Sequence, residues 1–162
     1  MKTFTNQNPS TLDEAVELVQ SAREDGQSVA FAAGGTDLLQ LVKDRVANRA
    51  GQGIPDVLVN LKSVEGVDQI DSHSLGGVTI GGLITLTALS GDPGIRHNYT
   101  VLAEAAEKVG TLQIRNVGTL AGNVCQRPWC WYYRNGFPCY KSGGNECFSV
   151  AGENQLHAIF GG

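Results

Sequence analysis

Four cysteines, Cys125, Cys130, Cys139 and Cys147, fall within twenty-three residues, and the chain has no others. The same stretch, N-V-C-Q-R-P-W-C-W-Y-Y-R-N-G-F-P-C-Y-K-S-G-G-N-E-C-F, holds seven of the eleven aromatic residues. It has little helical or strand periodicity. A segment of this kind inside a compact domain is held by something other than an ordinary core. Four thiolates around a metal centre would hold it, and the aromatics could keep water away from such a centre.

The spacing narrows the candidates without choosing one. Four, eight and seven residues separate successive cysteines, so the C-x-x-C of structural zinc sites is absent. Zinc stays open, because spacing alone does not exclude it. Disulfides fit less well: the cysteines tie no distant parts of the chain together, and an unsignalled protein meets a reducing compartment. Iron–sulfur clusters accept thiolates from irregular loops. Arg127, Arg134 and Lys141 are positioned in sequence to offset the charge of a thiolate-ligated cluster, and Gly136, Gly143 and Gly144 permit a wrapped path. The aromatics could also pack as a small satellite core, with or without a metal.

Composition removes several function classes. The 162 residues suit one domain or two small subdomains, and 21 glycines imply many turns and close backbone approaches. With a net charge of −4 and scattered positive residues, no nucleic-acid footprint is visible. No apolar run reaches membrane-spanning length. The start, M-K-T-F-T-N-Q-N-P, lacks the apolar region of a secretory signal. The expected location is cytoplasmic, or periplasmic only if the chain is co-exported with a signal-bearing partner.

The first third reads as β-α-β-α-β. Ser10 is placed to cap a helix over 11–23, with Asp13 in capping-box position. Leu12, Ala15, Val16, Val19 and Ala22 form its apolar stripe. Strands are expected over 28–33 and 57–61, with a helix over 37–48 between them; this alternation implies a small parallel sheet. The middle third predicts a hairpin from 67–70 and 78–80, a helix over 86–91 capped by Thr85 or Thr87, and a helix over 101–109 with Leu102, Ala105, Ala106 and Val109 inward. Residues 110–123 read as a strand and a tight loop.

Two glycine segments carry binding chemistry. In A-A-G-G-T-D-L at 32–38, Gly34 and Gly35 lack Cβ atoms, so their amides can point into one concavity. A helix beginning at Thr36 or Asp37 would add unpaired N–H groups that favour an anion such as pyrophosphate. In G-T-L-A-G-N at 118–123, Gly118 and Gly122 permit close main-chain approach while Thr119 and Asn123 offer side-chain hydrogen bonds. Taken alone, the first segment reads more readily as an ordinary strand-to-helix turn, and the second reads equally as a turn. Two such segments in one chain strengthen the case for a nucleotide ligand. Neither is a G-x-G-x-x-G fingerprint nor a Walker A loop, which removes the reason to expect an NAD-type binder. His73, His97 and His157 are isolated, and no Ser/His/Asp or Cys/His arrangement suggests nucleophilic catalysis.

Taken together, A-G-G-T-D-L at 33–38, I-G-G-L-I-T-L-T-A-L at 80–89, V-L-A-E-A-A-E-K-V at 101–109 and I-R-N-V-G-T-L-A-G-N at 114–123 resemble the FAD-binding subunit of molybdenum hydroxylases, the xanthine dehydrogenase and aldehyde oxidoreductase family. The cysteine-rich stretch resembles the branch whose flavin subunit carries an extra [4Fe–4S] cluster. The resemblance implies an α+β fold of the vanillyl-alcohol-oxidase flavoprotein type, C-terminally truncated. Its parts would be an N-terminal FAD-binding subdomain over 1–60, a partial second one over 61–124, and the cysteine-rich end over 125–162. It implies that Ala33, Gly34, Gly35, Thr36, Asp37 and Leu38 hold the pyrophosphate. Gly110, Thr111, Thr119, Gly122 and Asn123 would line the rest of the flavin site, and Cys125, Cys130, Cys139 and Cys147 would ligate the cluster.

The same resemblance implies partners: a large subunit carrying the molybdenum cofactor, a [2Fe–2S] small subunit, and a further C-terminal flavin-contacting region, supplied as a separate chain if absent from this one. The expected function is an oxidoreductase subunit, inactive alone, that passes electrons from the [2Fe–2S] partner through FAD to an external acceptor. The alternative is a non-catalytic metal-binding or assembly module without flavin.

Overall fold

Strand β1 (Thr5–Gln7) and strand β2 (Val29–Ala32) both pair with a central β3 (Val57–Asn60), giving a three-stranded parallel sheet of order β1-β3-β2. These relations come from a computed structural model that describes residues 3–44, 54–155 and 157. Parallel pairing needs crossovers, and helix α1 (Leu12–Glu24) supplies the first. Its Ala15, Val19 and Ala22 pack on Val57 and Val59 of the central strand. The apolar stripe is narrower than the periodicity predicts, because Leu12 and Val16 are exposed.

The α1 cap is Thr11 rather than Ser10. Thr11 Oγ1 accepts from the Glu14 amide at 3.2 Å, and Glu14 reaches back to the Ser10 amide at 2.6 Å. Two hydroxyls compete at this start, and the longer Glu14 carboxylate closes the box that Asp13 was expected to close.

A short helix α2 (Leu38–Lys43) follows the first glycine segment. The remainder of the predicted 37–48 helix lies outside the described residues. After β3 the chain forms an antiparallel hairpin, β4 (Ile70–Ser72) with β5 (Val78–Ile80), shifted toward the turn relative to the expected first strand. Helices α3 (Leu86–Gly91), α4 (Pro93–Asn98) and α5 (Thr100–Glu107) pack against it. Thr85 caps α3, as expected, by accepting from the Ala88 amide at 3.1 Å. Leu86, Leu89, Ile95, Ala103 and Ala106 form the core here. On α5 the buried face runs through Ala103 and Ala106, whereas Ala105, expected inward, is exposed.

The largest departure is at 110–124. Where a strand and loop were expected, two short helices form: α6 (Leu112–Val117) and α7 (Leu120–Val124). Thr111 and Thr119 cap them by accepting from the amides of Ile114 and Gly122. Local capping chemistry outweighs the glycine content that suggested a loop. In the cysteine-rich stretch, α8 (Trp131–Arg134) and a 3-10 turn (Tyr140–Ser142) are the regular elements.

Candidate functional site

The two glycine segments meet. A Cβ placed on Gly34 would run into the carbonyl of Val117, and one on Gly118 would come within 3.6 Å of Thr36 Oγ1. Only a glycine at 34 lets these two backbones approach so closely. Gly35 has φ of +72°, a left-handed conformation that glycine adopts without strain. The approach is fixed from behind by the 80–89 stretch. Leu86 N donates to Gly118 O at 3.0 Å, Leu120 N to Ile84 O at 3.0 Å, and Ala121 N to Gly82 O at 2.8 Å.

Between the segments lies a cavity of about 470 Å³, within the ordinary range for cofactor sites. Thr36 and Asp37 line it from the first segment; Gly118, Thr119, Gly122 and Asn123 line it from the second. Gly110 and Thr111 join them. Seven of the eleven residues expected at a flavin site therefore share this cavity, and Ala33, Gly34, Gly35 and Leu38 stand behind its lining. A separate cavity of about 350 Å³, between the hairpin turn and α4, is lined by none of them.

Several side chains have structural duties. The Thr111 and Thr119 hydroxyls already accept from their own helices, and Thr119 is buried. Arg115 Nη1 donates to the carbonyls of Val109 and Gly110 at 3.1 and 3.2 Å, holding the turn at the cavity rim. Asp37 spends both carboxylate oxygens on the cysteine-rich stretch. Oδ1 pairs with Arg134 Nη2 at 2.6 Å, and Oδ2 accepts from the Arg127 amide at 3.0 Å.

The cavity also has walls that the sequence reading assigned elsewhere. Gln40, Leu86, Val109, Ile114, Gln126 and Trp129 line it. Val109 reads as core from its helical spacing, and Leu86 reads only as the first residue of the 86–91 helix. Gln126 and Trp129 lie among the cysteines and were read with them. No sequence signal separates these residues from core or loop, because their exposure depends on which neighbours the fold brings near.

The first glycine segment also leaves backbone donors without a protein acceptor. None of the amides of Gly34, Gly35, Thr36 and Asp37 donates to an acceptor among the described residues. These residues are partly exposed, so either water or a ligand can serve as the acceptor.

The four cysteines are all free thiols, and they do not fit a metal centre as they stand. Among the described residues, no group of three or more His, Cys, Asp or Glu side chains is placed to hold a metal ion. Cys130 is buried beside Leu41 and Tyr133, with Cys139 packed on the same apolar cluster. Cys125 is exposed. Cys147 lies 3.0 Å from Ser149 Oγ, and that hydrogen bond holds its thiol below the usual cysteine range. The aromatics do form the satellite core considered above: Tyr132, Phe137 and Phe148 contact one another with ring centroids 5.1–5.8 Å apart. Arg134, expected to offset cluster charge, is instead committed to Asp37.

A fold of this kind, with apposed glycine turns around a cleft, is that of a dinucleotide-binding flavoprotein domain. The chain belongs to the family described as the FAD binding domain in molybdopterin dehydrogenase, whose model matches residues 2–128. It is 34% identical over 163 residues to the aldehyde oxidoreductase FAD-binding subunit PaoB of Escherichia coli K12, covering 99% of this chain and 48% of that protein. It is 36% identical over 124 residues to the nicotinate dehydrogenase FAD-subunit of Eubacterium barkeri, covering 76% and 39% respectively. Among solved structures, carbon monoxide dehydrogenase from Hydrogenophaga pseudoflava superposes with a TM-score of 0.66 at 27% identity, covering 76% of this chain and 39% of that one. The chain thus spans about half the length, or less, of the relatives it matches. No helix among the described residues is long and apolar enough to cross a membrane.

Proposed function

We propose that this chain is the flavin-binding electron-transfer component of a molybdenum hydroxylase of aldehyde or xanthine oxidoreductase type. It would receive electrons from a [2Fe–2S] small subunit, alongside a large subunit holding the molybdenum cofactor, and deliver them through FAD to an external acceptor. The observation that carries this reading is the apposition of the two glycine segments around one cleft, with Thr36 and Asp37 on one wall and Gly118, Thr119, Gly122 and Asn123 on the other. FAD, when bound, supplies the redox chemistry; the chain supplies binding, orientation and exclusion of water.

On this reading, Gly34 to Asp37 receive the pyrophosphate on backbone N–H groups, with Ala33 and Leu38 setting the ends of the turn. Gly110, Thr111, Thr119, Gly122 and Asn123 shape the opposite wall. Residues 1–60 and 61–124 act as the two subdomains that grip the dinucleotide, in a cytoplasmic complex. The remaining flavin-contacting surface comes from sequence corresponding to the other half of the relatives.

The [4Fe–4S] assignment to Cys125, Cys130, Cys139 and Cys147 is a separate proposition. Its support is the grouping of the four thiols in sequence and the continuation of the PaoB similarity across 99% of the chain, beyond the family match at 128. Since the thiols are not gathered around one centre, no electron-transfer step is routed through them.

Anaerobic purification with flavin, iron and acid-labile sulfide quantified per chain tests both propositions. Stoichiometric uptake of FAD on titration supports the flavin reading, and a chain that takes up none overturns it. Iron without flavin would mark the non-catalytic metal-binding alternative.

A further inference from the structure

The family match ends at residue 128, yet the cavity wall continues one residue further, to Trp129. Its indole is held rather than loose. Nε1 donates to Gln126 Oε1 at 3.0 Å, and the Arg134 guanidinium sits 4.5 Å from the ring centroid. Arg134 is itself fixed, through Nε to the carbonyl of Pro128 at 2.9 Å and through Nη2 to Asp37. With one indole face taken by Arg134, Trp129 as a residue is still 56% exposed and borders the cleft. A large aromatic surface immobilised at the edge of a dinucleotide cavity is costly to leave in water and suited to stacking a planar ring.

Resting on the flavin reading above, we infer that Trp129 is a binding residue that stacks on a planar ring of the dinucleotide, with Arg134 and Asp37 as its positioning residues. The cysteine-rich stretch thereby contributes a wall that lies just beyond the residues the family match covers. Either ring of FAD, isoalloxazine or adenine, presents the required π-face.

The test compares FAD, FMN and ADP binding to the wild-type chain and to W129F, W129L and W129A by calorimetry, with W131F as control. The expected result is affinity about ten-fold weaker in W129L and W129A, near wild type in W129F, and unchanged in W131F. A loss shared by FAD and ADP assigns the adenine ring; a loss shared by FAD and FMN assigns the isoalloxazine. In W131F, where Trp129 is the sole tryptophan, saturating FAD should also protect the indole from N-bromosuccinimide oxidation. Equal affinities across the series, or oxidation as fast with FAD as without it, overturn the inference while leaving the flavin reading intact. Failure of the wild-type chain to bind FAD removes both.

Discussion

Asp37 and Arg134, ninety-seven positions apart, form an ion pair of 2.6 Å that joins the first glycine turn to the cysteine-rich stretch. Their side chains are only 18% and 9% exposed, so the pair is largely desolvated. Arg134 also donates to the carbonyls of Arg127 and Pro128, which makes it the hub of the 125–134 segment. Its Nη1 has no hydrogen-bond partner among the described residues and lies within the group that stacks over Trp129. The cavity wall at Gln126 and Trp129 therefore depends on a contact with the first glycine turn, through Asp37.

Breaking that pair should cost more than an exposed pair would. Removing one partner leaves a mostly buried charge uncompensated, worth about 3 kcal/mol. R134A and D37A should each lower the urea midpoint by a comparable amount. The double variant should lose less than the sum of the two, a coupling that a double-mutant cycle reads directly.

Gly34 tolerates no Cβ. In G34A the methyl group would press on the Val117 carbonyl, forcing the two walls apart. The expected cost is about 1–3 kcal/mol of stability together with loss of FAD binding. G91A is the contrast, since a Cβ at that helical position meets nothing within 4 Å. Its expected effect is neutral to stabilising by about 0.5 kcal/mol, checked by thermal unfolding and flavin titration.

The N-terminus of α1 should be pH-sensitive. Hydrogen bonds from the Ser10 amide, then the Ser10 hydroxyl, hold the Glu14 carboxyl below its ordinary value. A depressed folded-state pKa means stability is present above the unfolded pKa of a glutamate. It is lost as pH falls through the lower, folded value. Acid titration of stability in E14Q should therefore be flatter than in wild type, in the acidic range below the normal glutamate pKa. T11A, which removes the cap itself, should cost about 1 kcal/mol at neutral pH.

Thiol reactivity should separate the cysteines. In reduced, metal-free protein, exposed Cys125 and the acid-shifted Cys147 should alkylate with iodoacetamide before buried Cys130. S149A removes the principal hydrogen bond to the Cys147 sulfur, so its alkylation near neutral pH should slow. Mass spectrometry of the modified peptides reads the order.

Much of the candidate site was legible before the structure. Gly34, Gly35, Gly118 and Gly122 stood out because glycine pairs leave a recognisable local signature, and the structure brings the two segments together at Gly34 and Gly118. The parallel β-α-β-α-β opening was legible from alternating strand and helix periods. Less legible was 110–124, where three glycines, at 110, 118 and 122, hid the Thr111 and Thr119 caps. Glycine content signals a loop, but a threonine three residues before an amide it can reach starts a helix. The choice between Ser10 and Thr11 was lost for a similar reason: adjacent hydroxyls compete, and side-chain reach decides. Asp37 was expected to face a ligand, and its partner Arg134 to face a cluster. Nothing within either local segment reveals that they pair.

Read by itself, the chain determined the local conformations whose causes lie within a few residues: the α1 helix, the cap at Thr85, the glycine turns and the β-α-β order. Tertiary structure decided what those pieces face. It set Gly34 against Val117, drew Arg134 onto Asp37, and turned Trp129 toward the cleft. Such relations depend on packing summed over the whole molecule, where burial and charge pairing between distant segments outweigh any preference written in one of them.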